Sequence, residues 1–319
     1  MSASRPRDCR RALKCVSYRE LHFLFSPPHM DSLLRWFIPW ELSPTALVLL
    51  ATAAVLYVRG CRRRKISVSR QVRFWLGWVL MWQAFQTRWD YYAEHQFFVH
   101  ISQQISLHDF APLLMMWSYP LAVLRAGIPV SIRMRWLKPF QRNAVVRATK
   151  LVLFNPYFAA FLFGGMALLW LIPSFHPFVM LNAPTYRLMN WSMALDGLLF
   201  WWLVLDTRPN PPAHLSPGKR VFLPLLSMLP TMVWGAILAL SMTDYYPIYE
   251  ICGRALSLDP LTDQHLGGLI LWIPGSFPMI LASMIALRSW MRLSDRGRLK
   301  TRPNKRTVAS ATPAVPPVV

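Results

Sequence analysis

Seven apolar runs, at residues 43–58, 74–93, 96–119, 151–172, 188–205, 222–242 and 266–287, limit this chain to a very small set of folds. Each is close to the length of helix that crosses a hydrocarbon core. Lipid offers no partner to a bare N–H or C=O, so a crossing segment must satisfy its own backbone, which a helix does. With 54% hydrophobic and only 15% charged residues, the chain is too apolar for a soluble domain. The expectation is an all-α membrane protein, a bundle of seven transmembrane helices.

The connections set its orientation. Lysine and arginine gather at 59–73, 125–150, 219–220 and 288–306, after the first, third, fifth and seventh runs. The remaining connections carry Asp90, Glu94, Asp244, Glu250, Asp259 and Asp263. Positive residues stay in the cytoplasm, which places the N-terminus outside and the C-terminus inside. The net charge of +21 therefore belongs to loops beside membrane lipids, and nucleic acid is not an expected partner.

Residues 1–29 contradict this frame, because Arg5, Arg7, Arg10, Arg11, Lys14 and Arg19 would lie outside. The expectation is a basic leader at 1–29 with translation starting at Met30, a seven-helix domain at 30–292 and a disordered basic, proline-rich tail at 293–319. No signal peptide is evident. Cys9, Cys15, Cys61 and Cys252 form neither a disulfide framework nor a paired-thiol motif, so any metal would need imidazole, carboxylate or thioether donors.

The third run is a poor lipid-facing helix. It holds His100, Gln103, Gln104, His108 and Asp109, so it belongs at the centre of the bundle, with Pro112 loosening it further along. His100, Gln104 and His108 recur every four residues and share one face. On the fifth run Asp196 must turn inward, and His108 or a glutamine of the second run is its expected partner. Asp263, Gln264 and His265 open the seventh run. Gln83, Gln86, Gln103 and Asn190 read as hydrogen-bonding glue between helices. His176 and His214 read as bystanders in loops.

Ionisable groups sunk in a membrane mark functional sites, and imidazole with carboxylate suits copper or zinc. The candidate metal ligands are His100, His108, Asp196, Asp263 and His265. His100 and His108 lie about 12 Å apart along the helix and would need separate partners. Met180, Met189, Met193 and Met242 add a weaker thioether signal. No nucleophile–base pair, phosphate loop or haem-attachment motif points to an enzyme.

Several stretches carry a family resemblance. Residues 263–292 (DQHLGGLILWIPGSFPMILASMIALRSWMR) resemble the closing span of the CtaG family of cytochrome c oxidase assembly factors, with its Asp-Gln, Leu-Gly-Gly and Trp-x-Pro-Gly. Residues 100–114 (HISQQISLHDFAPLL) are similar to its His-Met-x-Gln-His stretch leading to Ala-Pro-Leu-Leu, residues 197–202 (GLLFWW) to its Gly-Leu-Leu-Phe-Trp-Trp, and residues 246–249 (YPIY) to its Tyr-Pro-x-Tyr turn. Three histidines of the family pattern are replaced, by Gln104, Leu171 and Asn190.

The resemblance implies an assembly factor for a haem–copper cytochrome c oxidase, aiding copper delivery or insertion on the outer face of a bacterial inner membrane. Copper is the implied cofactor and an oxidase subunit the implied partner. His100, Asp263 and His265 would form an outer mouth, with Asp196 and His108 deeper. A metal-free scaffold is the alternative favoured by the three lost histidines. A proton- or metal-coupled carrier is the other, suggested by Asp196, His108 and the prolines at 224, 230, 274 and 278.

Overall fold

The computed structural model describes residues 43–297 apart from 211, 212 and 252. The leader, the Met30 start, Cys252 and most of the C-terminal tail lie outside these residues.

Among the described residues every regular element is helical. The principal helices are α1 (Pro44–Arg63), α2 (Val68–Gln86), α3 (Arg88–His95), α4 (Phe97–Ile105), α5 (Ala111–Trp117), α6 (Leu121–Gly127), α7 (Ala144–Leu153), α8 (Pro156–Trp170), α9 (His176–Met180), α10 (Ala183–Val204), α11 (Pro217–Leu240), α12 (Ile248–Ile251), α13 (Pro260–Trp272) and α14 (Phe277–Asp295). Helices occupy all seven apolar runs. Three are long and apolar enough to cross a membrane, Pro44–Arg63, Pro217–Leu240 and the broken helix Pro260–Asp295, and α7 with α8 makes a fourth if that bent pair is one span. Leu49, Val48, Leu240 and Met284 stand exposed on these helices, as lipid-facing side chains do.

Two runs differ from expectation. The second breaks at Thr87, whose hydroxyl accepts the Trp89 amide and starts α3 as a separate helix. In the fourth, 151–153 belong to α7, because Asn155 precedes Pro156 and cannot stay helical. Asn155 instead caps α8, accepting from the amides of Tyr157 and Phe158.

The first basic connection packs against the end of the third run and the start of the connection after it. Arg63 donates to the Ala126 carbonyl, Arg73 sits over the Trp117 ring and Arg70 over Tyr119. Gly60 and Gly127 let α1 and α6 cross here, since a Cβ at either would collide with the backbone of the other helix.

The third run threads the centre of the bundle in three pieces, α4, a π-helical turn at Ser106–Phe110, and α5. Pro112 has no N–H, so the carbonyl of His108 loses its helical donor. The Trp201 indole of α10 replaces it at 3.1 Å. Gly197, one turn earlier on α10, makes the approach possible, because a Cβ there would strike the His108 carbonyl and the Pro112 ring. The Gly-Leu-Leu-Phe-Trp-Trp element thus repairs the break that Pro112 introduces.

This repair predicts a coupled pair. Trp201→Phe orphans a buried carbonyl and should lower unfolding stability by about 2 kcal/mol. In a Pro112→Ala background, where residue 112 regains an amide, the same change should cost clearly less. Thermal unfolding of the four proteins in detergent reads the difference, and an equal cost in both backgrounds would refute the assignment.

Candidate functional site

The polar residues of α4 and the π turn face α8, α10, α11 and α13 across a cavity of about 40 Å³ lined by His100, Gln104, His108, Asp109, Trp170 and Met193, among others. By this measure the space takes two or three waters, at about 15 Å³ each. Four buried atoms around this column have no hydrogen-bond partner among the described residues, Nδ1 of His100, Oε1 of Gln104, Oδ1 of Asp109 and Oδ1 of Asp196.

At the end of the column nearest Pro112, Nε2 of His108 lies 3.4 Å from Oδ2 of Asp196, and its Nδ1 lies 3.7 Å from Oδ2 of Asp109. The imidazole stacks on Phe163, with ring centroids 3.8 Å apart. Asp196 therefore finds His108, one of its expected partners, and the π turn adds Asp109 to the pair by bringing two successive side chains inward. Asp109 was expected inside the bundle but not beside His108, because regular helical spacing turns adjacent residues well apart.

In the middle, Nε2 of Gln104 donates to Oδ1 of Asn190 at 2.7 Å. These are two of the three positions where the family resemblance would place histidine. The third, Leu171, packs in the same cavity wall. Its carbonyl accepts from the Tyr246 hydroxyl at 2.7 Å, and the Trp234 indole donates to that hydroxyl.

At the opposite end His100 is buried and its ring packs edge-on against His176, centroids 5.2 Å apart. His176 is no bystander. It is fully buried, with Nδ1 2.9 Å from the Trp170 carbonyl and Nε2 3.0 Å from the Tyr249 hydroxyl. A carbonyl only accepts, so Nδ1 donates and Nε2 of the neutral ring receives the tyrosine proton. Burial pushes the His176 imidazole down to about 4, outweighing the upward effect of the Trp170 carbonyl, so it stays neutral near pH 7. A lone histidine in the apolar stretch FHPFVM was the only sequence hint.

Asp263 serves as a fastener. Its two oxygens accept from the amides of Phe97 (3.0 Å) and Phe98 (2.9 Å), capping α4 from another helix, and Arg254 pairs with the same carboxylate. Gln264 beside it accepts from the Tyr245 amide and donates to the Thr243 carbonyl. His265 turns away, with Nε2 2.8 Å from the Ser241 carbonyl. Of the five expected ligands only His108 and Asp196 meet, while His100, Asp263 and His265 are each engaged by different partners. Among the described residues no group of three His, Cys, Asp or Glu side chains is placed to hold a metal ion.

Of the expected glue residues, Gln86, Gln103 and Asn190 make such hydrogen bonds, Asn190 with Gln104. Gln103 donates to Asp90 and to the Ala84 carbonyl and accepts from Tyr186, while Gln86 exchanges hydrogen bonds with the backbone of Ser43.

Residues 53–293 match the sequence model of a family described as cytochrome c oxidase caa3 assembly factor (Caa3_CtaG). The chain belongs to that family. It is also similar to uncharacterized proteins of Mycobacterium leprae (strain TN), at 26% identity over 290 residues, 84% of this chain and 42% of that protein, and of Mycobacterium bovis, at 24% over 212 residues, 64% of this chain and 31% of that protein. The chain thus spans less than half the length of these curated relatives. No solved structure matches it. Within this Caa3_CtaG protein, the Asp-Gln, Tyr-Pro-x-Tyr and Gly-Leu-Leu-Phe-Trp-Trp elements all hold the central helix in place.

Asp263→Asn should therefore act on stability. Removing the charge leaves Arg254 unpaired and weakens the cap on α4, a loss of about 3 kcal/mol. His265→Ala, which frees only one carbonyl, should cost about 1 kcal/mol. Denaturation in detergent ranks the two, and an Asp263→Asn protein as stable as the parent would contradict the fastener role.

Proposed function

We propose that this protein assists assembly of a haem–copper cytochrome c oxidase in a bacterial inner membrane, as a seven-span bundle with its N-terminus outside and C-terminus cytoplasmic. It acts by engaging an oxidase subunit and is not an enzyme. The family match supports the oxidase, and the packing of the first basic connection against the start of the next supports the topology.

The observation that carries the mode of action is the Gln104–Asn190 pair. Two positions that would supply imidazoles in the family pattern instead satisfy each other as amides, and the amide nitrogen has no lone pair to give a metal. His176 has both nitrogens engaged, and Asp263 is bound to backbone and Arg254. The residues present do not fit a resident copper centre, and the scaffold reading comes first.

Copper delivery is the second reading, with copper as cargo. The unpartnered Nδ1 of His100 favours it, since this atom belongs to a cavity that Met193 and Met279 also line. His108, Asp196, Asp263 and His265 would then position or neutralise the donors around it.

The two readings separate in one experiment. The protein and its His100→Ala variant are purified for copper analysis, and both are introduced into a strain lacking the native protein for measurement of oxidase activity. The scaffold reading expects less than a tenth of an equivalent of copper, by the loss of donors described, and full restoration by His100→Ala. Stoichiometric copper lost in His100→Ala, together with lost oxidase activity, would replace it with the delivery reading.

A further inference from the structure

The segment between α6 and α8 has no counterpart in the interior described above. No acidic residue occurs between Asp109 and Asp196, and within 130–153 the chain carries Arg133, Arg135, Lys138, Arg142, Arg147 and Lys150. None of its residues is buried. Its apolar side chains are exposed to a degree that water does not tolerate in a row, with Trp136 at 69%, Val145 at 72% and Leu151 at 76% of full exposure.

The geometry sorts these residues. On α7, Ala144, Val145, Ala148, Leu151 and Val152 share one face, and Arg147 and Lys150 lie beyond its edge. Asn143 starts the helix by accepting the Val145 amide. At the Asn155–Pro156 break α7 meets α8 at 73°. A helix so nearly perpendicular to an apolar one lies along the membrane surface when its neighbour crosses the bilayer. Just upstream, Trp136 and Phe140 alternate with Arg135, Lys138 and Arg142, aromatic rings for the headgroup boundary beside cations for the phosphates.

We infer that residues 130–153 form an amphipathic foot that binds anionic phospholipid headgroups. Val145, Leu151, Val152, Trp136 and Phe140 enter the acyl boundary, and the six cations meet lipid phosphates. Charge complementarity commits the surface to lipid: a stretch of six cations without one acid matches an anionic bilayer, and its apolar side chains match the layer directly beneath. This surface is separate from the central cavity, and the inference holds whichever client the bundle serves.

Spin labels test it in the full chain. All four cysteines are changed to serine, single labels are placed at Val145→Cys, Trp136→Cys and, as a control on the lipid-facing side of α8, Phe161→Cys, and each protein is reconstituted in nanodiscs of phosphatidylcholine with or without phosphatidylglycerol. Collision with oxygen reports lipid, and collision with a water-soluble nickel chelate reports water. The foot labels should gain oxygen contact and lose nickel contact several-fold when phosphatidylglycerol is present. Adding R135Q, R142Q, R147Q and K150Q should abolish that shift while Phe161→Cys keeps its oxygen contact, which shows the bundle intact. Foot labels that stay in water in both lipids, sit equally deep in both, or are shielded from both reagents by protein would each overturn the inference.

Discussion

One backbone carbonyl governs the centre of this protein. Pro112 strips the His108 carbonyl of its helical donor, and in an apolar interior that oxygen cannot be left bare. The repair demands an indole at the right depth on α10 and a glycine one turn earlier to let the helices touch. Once Gly197 and Trp201 fix that crossing, Asp196, one residue before the glycine, has little choice but to face His108. The buried triad of His108, Asp109 and Asp196 is in this sense a consequence of how a proline-broken helix is held.

The same logic extends to the start of the third run. The start of α4 has bare amides and no capping side chain of its own, so Asp263 supplies the cap from α13. Gly267 follows one turn later, where a Cβ would meet the Phe97 ring. Tyr246 and Tyr249 brace the neighbouring turn against Leu171 and His176. Phe97 of α4 stacks on Tyr246, with ring centroids 4.3 Å apart, so this turn too is tied to the central helix. These ties hold a polar helix rigid within the bundle.

The helical composition, the seven helical runs and the inward placement of His100, His108 and Asp196 were legible because apolar length and the cost of buried charge are local properties of sequence. Asp196 was expected to meet either His108 or a glutamine of the second run, and it meets His108. What could not be read depends on backbone departures. The π turn that brings Asp109 beside His108 breaks the periodicity on which the reading relied, and the bend before Pro156 shortened the fourth run. Asp263 looked like a ligand at the mouth because a carboxylate carries no label distinguishing a metal from two backbone amides. His176 looked idle because its partners, Trp170 and Tyr249, are joined to it only by the fold.

The replaced histidines bear on mechanism more directly than the retained ones. A single imidazole lost from a ligand set leaves its neighbours to rearrange, but Gln104 and Asn190, at two positions where the resemblance would place histidine, stand as a complementary donor and acceptor 2.7 Å apart. That pairing stabilises the crossing of α4 and α10 without any ion, and it leaves the Gln104 carbonyl oxygen as a neutral acceptor on the cavity wall. A site meant to hold and release copper gains nothing from such an exchange, since an amide binds the ion far more weakly than an imidazole. A protein that works by the shape and rigidity of its bundle keeps what it needs, because the helices remain pinned at the same point.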